Sequence, residues 1–178
     1  MTRTLYEHKS HRPSARFPMR KIAVVLGRGG HTAQTFALLD LLGPRFRYLY
    51  MVDLLDKLTP KKIRIPGRVL PVIQPRLLPQ DSRIMSALRT LTTLLLSFVY
   101  LLVSRPSVVV SCGTGLTVPV FYSARLLGLK TVYIESMSRV ETLSITGRIL
   151  LGRTDLFVVQ WPRLAERTRG AVYGGQLL

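Results

Sequence analysis

Acidic residues are scarce in this chain: nine aspartates and glutamates stand against 26 lysines and arginines, for a formal charge of +17 over 178 residues. That imbalance calls for an anionic partner: nucleic acid, an anionic membrane face or phosphorylated substrates. Cysteine is nearly absent. The single Cys112 excludes an intrachain disulfide, which suits a cytosolic compartment, and its setting in the apolar stretch "SVVVSCG" reads as a buried bystander thiol. The first twenty residues carry five basic residues and one acid but no apolar run, which excludes a signal peptide or a membrane span there. Residues 1–20 read as a flexible basic tail. His8 and His11 lie in it, three apart, with no cysteine or carboxylate cluster beside them, so they read as solvated residues and no metal site is expected. Repeats and low-complexity tracts are also missing. The length suits one globular unit over residues 21–178.

What is present is an alternation of strand-like and helix-like segments, the pattern of a parallel sheet with crossover helices. "KIAVVLG" predicts the first strand and "TAQTFALLDLLG" a helix ending at Gly43. "RFRYLYMVD" and the proline-bounded "RVLPVIQP" predict strands two and three, followed by a long apolar helix over 82–104. "RPSVVVSCG", "KTVYIES" and "DLFVVQW" predict strands four to six, with helices over "LTVPVFYSARLLG" and "SRVETLSITGRILLG" between them. Strands four and six are continuous apolar runs, as befits strands covered on both faces. The fold class is α/β, a Rossmann-like parallel sheet.

In such sheets ligands gather at the carboxyl ends of the strands. The first strand delivers Gly27, Arg28, Gly29, Gly30 and His31; the fourth delivers Gly113, Thr114 and Gly115. The fifth delivers Glu135, Ser136 and Arg139, and the sixth Gln160 and Trp161. Bare glycines before a helix let backbone N–H groups approach a phosphate or diphosphate. The bland alternative is a structural turn with Thr32 capping the helix. A dinucleotide fingerprint would need glycine where Thr32 stands, and in a Walker loop lysine would stand where His31 does. His31 fits a base or a donor to a diphosphate, or else a residue that satisfies the helix start. Glu135 is costly to bury unpaired, so it either pairs with Arg139 or serves as a base.

The stretches "GRGGHT", "VVVSCGTGLTVPV", "LLGLKTVYIESMSRVETLSITGRIL", "DLFVVQWPRL" and "AVYGGQL" together resemble the membrane-anchoring subunit of the split UDP-N-acetylglucosamine transferase of dolichol-linked oligosaccharide synthesis and its bacterial PssD and EpsE-like relatives in polysaccharide assembly. The resemblance covers residue 21 to the end. It implies the amino-terminal, acceptor-binding half of a GT-B glycosyltransferase, similar to that of MurG. The UDP-sugar would be held mainly by a separate small donor-binding subunit, the linker to which would begin near "YGGQLL". It further implies Glu135 and His31 as catalytic candidates, Glu135 favoured as base and His31 on the diphosphate. Gly27, Arg28, Gly29, Gly30, Thr32, Gly113, Thr114, Gly115 and Arg139 would lie against the diphosphate acceptor, and Trp161, Tyr173 and Leu177 against the partner. No cofactor beyond the sugar donor is expected. Arg28 departs from the small residue more usual at its position in this family, either adding a phosphate contact or narrowing the loop. The eukaryotic subunit's transmembrane helix has no counterpart at this amino terminus.

A polyprenyl-diphosphate acceptor implies contact with a bilayer, so the chain is expected as a peripheral or monotopic protein on the cytoplasmic face, attached through residues 76–104. The stretch from Thr90 to Ser104 is uncharged for fifteen residues, short of the ~20 needed to span. Eight basic residues and one acid lie between Lys57 and Arg89. Arg76, Arg83 and Arg89 would grip headgroups while Leu94, Leu95, Phe98, Tyr100 and Leu101 dip beneath them. The amino-terminal part of this segment is expected to be wet or lipid-facing and the carboxyl-terminal part to be core. Two rival readings remain. A non-catalytic scaffold that recruits a transferase shares every feature except the need for His31 or Glu135. A nucleic-acid-binding module accounts for the charge, yet the basic residues interleave with leucine and proline, and no nucleic-acid-binding motif is present.

Overall fold

The computed structural model describes residues 19–75 and 82–178. Residues 1–18 of the basic tail, with His8 and His11, and Arg76 lie outside the described residues. Seven strands form one sheet: β1 (Lys21–Val25), β2 (Arg47–Asp53), β3 (Gly67–Val72), β4 (Val108–Cys112), β5 (Lys130–Ile134), β6 (Leu156–Val159) and β7 (Val172–Tyr173). Their spatial order is β3-β2-β1-β4-β5-β6-β7, and every pairing is parallel. Among the described residues five α-helices connect them: α1 (Gly30–Leu42), α2 (Arg83–Ser104), α3 (Thr117–Leu126), α4 (Ile145–Leu150) and α5 (Pro162–Arg167).

The strand period of two sorts the core onto two faces. Ala23 and Val25 of β1 point to one side with Met51, Val109, Tyr133 and the inner faces of α2, α3, α4 and α5. Ile22 and Val24 point to the other side, with Tyr48, Tyr50, Val110 and Leu39 of α1. Pro119 falls in the first turn of α3, where its missing N–H costs nothing. The helix expected over 138–152 is shorter than its pattern. Ser144 caps α4 by accepting from the Gly147 amide at 2.9 Å, and residues 136–143 form a loop instead. The short elements α5 and β7 add a seventh strand to the six expected.

Helix α2 has the expected span, but its division is by face rather than by end. Thr93, Ser97, Leu101 and Ser104 are buried, whereas Ile84, Leu88, Leu91, Leu95, Val99 and Leu102 are exposed along the whole length. Leu101 is therefore core, Leu94, Phe98 and Tyr100 are half-buried, and only Leu95 of the five expected to meet lipid is exposed. Arg83 is exposed and Arg89 half-buried. At 22 residues the helix is long and apolar enough to cross a membrane by length and composition. Its inner face is pinned to the domain, however: the Ile73 amide donates to the Thr93 hydroxyl at 3.2 Å, and the Ser123 hydroxyl to the Leu94 carbonyl at 2.7 Å. Thr93 thus lies beside the carboxyl end of β3, while the Ser104 carbonyl accepts from Lys21 at the sheet's opposite end. Residues 83–92 project beyond the carboxyl rim of the sheet, roughly 15 Å at the helical rise.

Candidate functional site

β1 and β4 are neighbours, and the chain leaves them in opposite directions across the sheet, so their carboxyl ends form the switch point where a ligand crevice opens. Both ends are glycine turns. Gly29 and Gly113 have φ of 62° and 63°, a backbone that side chains other than glycine rarely adopt. The two turns also touch. A Cβ on Gly27 would lie 2.8 Å from the Thr114 Cβ and 3.0 Å from that of His31, and one on Gly113 would lie 3.2 Å from His31 Nδ1. Gly27, Gly113 and Thr114 are buried packing partners, whereas Gly29, Gly30 and Gly115 line open space.

Helix α1 starts at Gly30, two residues before its expected start, which places His31 in the first turn. Gly29 stands at the cap position, no side chain caps the helix and no acid occupies its first turn. Thr32 is therefore not the cap; its hydroxyl donates back to the Gly27 carbonyl and closes the turn. The imidazole of His31 is half-buried, with Nδ1 buried and without a hydrogen-bond partner. Burial pushes its pKa below the ordinary 6.5, against the opposing pull of the Glu135 charge and the Cys112 carbonyl. His31 is thus neutral at neutral pH. Cys112 behaves as expected: burial pushes its thiol up to about 12, which leaves it protonated and inert.

Glu135 departs from the reading that paired it with Arg139. It is 0% exposed and makes no ion pair with Arg139, which is exposed beside a hollow it shares with Arg148. Four donors converge on the carboxylate instead. Oε1 accepts from the Ser136 amide at 2.8 Å and the Tyr133 hydroxyl at 3.3 Å; Oε2 accepts from the amide and hydroxyl of Ser144, both at 3.0 Å. Burial and the Glu135 charge push the Tyr133 phenol far above its ordinary value, so it remains a donor. Gly147 explains itself here, since a Cβ would stand 2.1 Å from Glu135 Oε2. The carboxylate clasps the 136–143 loop and the start of α4 to β5.

Several connections had little signal in the sequence. Arg28 ion-pairs through one guanidinium nitrogen with Asp53, the buried last residue of β2, while its side chain stays 45% exposed. An acid closing the apolar run "RYLYMVD" was the available hint. Gln34, buried in α1, accepts from the Met137 amide at 2.9 Å and from Gln160 Nε2 at 2.7 Å. Gln160 in turn donates to the Glu135 carbonyl at 2.9 Å and accepts from the Leu177 amide at 2.9 Å. This amide chain joins the segment at Leu177 to the loops at the crevice. Trp161 donates to the Met137 carbonyl at 2.6 Å and is half-buried, as is Leu177, while Tyr173 is exposed.

Residues 22–177 match the family described as "Oligosaccharide biosynthesis protein Alg14 like". The chain is similar to "UDP-N-acetylglucosamine transferase subunit ALG14" of Homo sapiens, at 33% identity over 88% of this chain and 82% of that protein. The Candida albicans protein of the same name is 32% identical over 89% of this chain and 78% of its own length. Among solved structures, Acinetobacter baumannii MurG superposes with a TM-score of 0.66 at 14% identity, over 89% of this chain and 44% of that one. The calicheamicin glycosyltransferase CalG4 does so with a TM-score of 0.59 at 13% identity, over 90% of this chain and 53% of that one. The architecture is that of the amino-terminal half of a GT-B glycosyltransferase.

Proposed function

Because the chain belongs to the Alg14-like family of oligosaccharide-biosynthesis proteins, we propose that it is the membrane-associated, acceptor-binding subunit of a two-component inverting glycosyltransferase. It moves a sugar from a UDP-sugar to a polyprenyl-diphosphate-linked saccharide. The observation that carries this reading is the pair of touching glycine turns with neutral His31 between them at the switch point. The crevice offers bare backbone and a helix start to an anionic acceptor. With Nδ1 turned inward, Nε2 is the ring atom that meets the acceptor hydroxyl and takes its proton as the sugar transfers. The relatives' name, a transferase subunit, supports a second chain that holds the donor. That chain docks on the carboxyl rim next to Trp161, Tyr173 and the segment ending at Leu177.

The test is transfer from UDP-N-acetylglucosamine to a short-chain polyprenyl-diphosphate N-acetylglucosamine. The purified chain alone is expected to show none, and addition of a separate donor-binding subunit to restore it. Robust turnover by the isolated chain overturns the two-component reading.

Membrane attachment follows from α2, whose exposed leucines lie on one face and whose inner face is tied to the sheet. The helix lies in the interface rather than across it, on the cytoplasmic side where the nucleotide sugar is available. Replacing Leu88, Leu91 and Leu95 by serine is expected to reduce co-sedimentation with anionic vesicles by about tenfold or more while thermal unfolding changes little, since all three are exposed. Unfolding of the triple variant would show the face to be core.

A further inference from the structure

The loop between β2 and β3 builds a second feature on the carboxyl rim. Asp56 ties it down by accepting from the Leu58 amide at 3.0 Å, the Thr59 amide at 2.9 Å and the Thr59 hydroxyl at 2.6 Å. Burial would raise the Asp56 carboxyl, but these bonds and the Arg28 charge outweigh it and hold it below its ordinary value. Between this loop and the glycine turn opens a hollow of about 480 Å³, lined by Arg28, Gly29 and Thr32 on one wall and Lys57 and Lys62 on the other. Arg28 is spoken for by Asp53, and Asp56 by its own loop. Lys57 and Lys62 form no ion pair with any described residue. Three cations face one carboxylate across a cavity that also contains the uncapped start of α1.

The rim of the hollow is apolar and unburied. Leu55 is 60% exposed and Leu58 68%, and both line the opening. Leu54, also exposed, donates its amide to the Val72 carbonyl at 2.7 Å, which sets this loop at the end of β3, where Thr93 of α2 lies. The loop thus leaves β2 beside the end of β3, and its exposed Leu55 and Leu58 border the hollow next to the start of α1. A soluble anion has no use for that border, whereas a diphosphate carrying a hydrocarbon chain needs both halves of it.

We propose that this hollow seats the diphosphate of the lipid acceptor, held by Lys57 and Lys62, with the isoprenoid leaving over Leu55 and Leu58 toward α2 and the saccharide turned to His31. The inference rests on the acceptor-binding reading above and adds two lysines and a loop that the resemblance did not mark. It also moves the diphosphate from the His31 side of the glycine turn to the Arg28 side.

The probe is farnesyl diphosphate in neutral detergent micelles, titrated into the full chain and followed by phosphorus NMR. Lys57→Ala with Lys62→Ala is expected to weaken binding by about tenfold or more, and Lys57→Arg with Lys62→Arg to restore most of it. Equal binding by the alanine variant and the wild type overturns the proposal, as does failure of the wild type to bind. Phosphatidylglycerol added to the micelles at the same mole fraction is expected to leave the farnesyl diphosphate in place. If it displaces the probe, the lysines serve bulk headgroups and the proposal falls. A wild-type complex that binds the probe through these lysines yet transfers no sugar supports the hollow and refutes the transferase reading alone.

Discussion

His31→Ala is expected to lower the transfer rate constant of the assembled complex by about 10²–10⁴-fold, the usual contribution of a positioned general base, with the complex still intact. The side chain sits where both glycine turns meet, and its removal leaves their backbones in place. Because burial depresses its pKa, the imidazole keeps its proton-accepting form at a pH where an ordinary histidine is half protonated. The rate should therefore hold down to pH 6.5 and fall only at lower pH, and the variant's residual rate should lack that acid limb. Stability moves in the same direction. The unfolded histidine binds its proton near 6.5 and the folded one only below it, so between those values the unfolded chain carries more protons. The stability from burying a neutral ring is complete above about 6.5 and is lost as pH falls through the folded value. Urea denaturation of wild type and His31→Gln at pH 7.5 and 5.5 measures this; the gap between the two pH values should narrow in the variant. A full rate in His31→Ala would leave the scaffold reading in possession.

Glu135→Ala is expected to cost about 3–5 kcal/mol of folding free energy, because it strands buried donors and opens a cavity at one stroke. The Ser136 and Ser144 amides, with the hydroxyls of Tyr133 and Ser144, would lose their common acceptor, the Ser136 and Tyr133 donors in fully buried surroundings. Glu135→Gln is expected to recover little. Each carboxylate oxygen faces a backbone N–H, so either orientation of the amide turns its NH₂ group against one of them. A base would behave otherwise, giving a folded protein with a low rate. Urea titration separates the two, and a Glu135→Gln protein as stable as wild type but slow would return the carboxylate to catalysis.

The sheet was legible because its strands are runs of β-branched and aromatic residues broken by glycine and proline. "KIAVV", "VVVSC" and "KTVYI" could hardly form anything else beside their glycine turns. The glycine loop and His31 were legible for the same reason, since their placement follows from where β1 ends. What escaped was pairing at a distance. The clasp on Glu135 draws donors from both sides of an irregular loop, and the Gln34 to Gln160 bond spans 126 positions between residues with no charge to betray them. Arg28 was legible as a cation but not as one already matched, because Asp53 lies 25 residues away on the next strand. The helix over 138–143 failed because apolar spacing carries no record of a buried carboxylate competing for the Ser144 amide. Six- and two-residue elements such as α5 and β7 fall below the length at which periodicity speaks at all.

Pro71 has a consequence for assembly. Val72 turns its carbonyl inward to Leu54, so in a parallel ladder the alternate residue, Pro71, turns its backbone to the outside of β3, and there it offers no N–H. At the opposite margin β7 is two residues long. Among the described residues both borders are poor templates for another strand, which guards a chain rich in valine and leucine against sheet-to-sheet growth. A partner of the kind proposed above would therefore meet the loops and helices of this chain rather than lengthen its sheet.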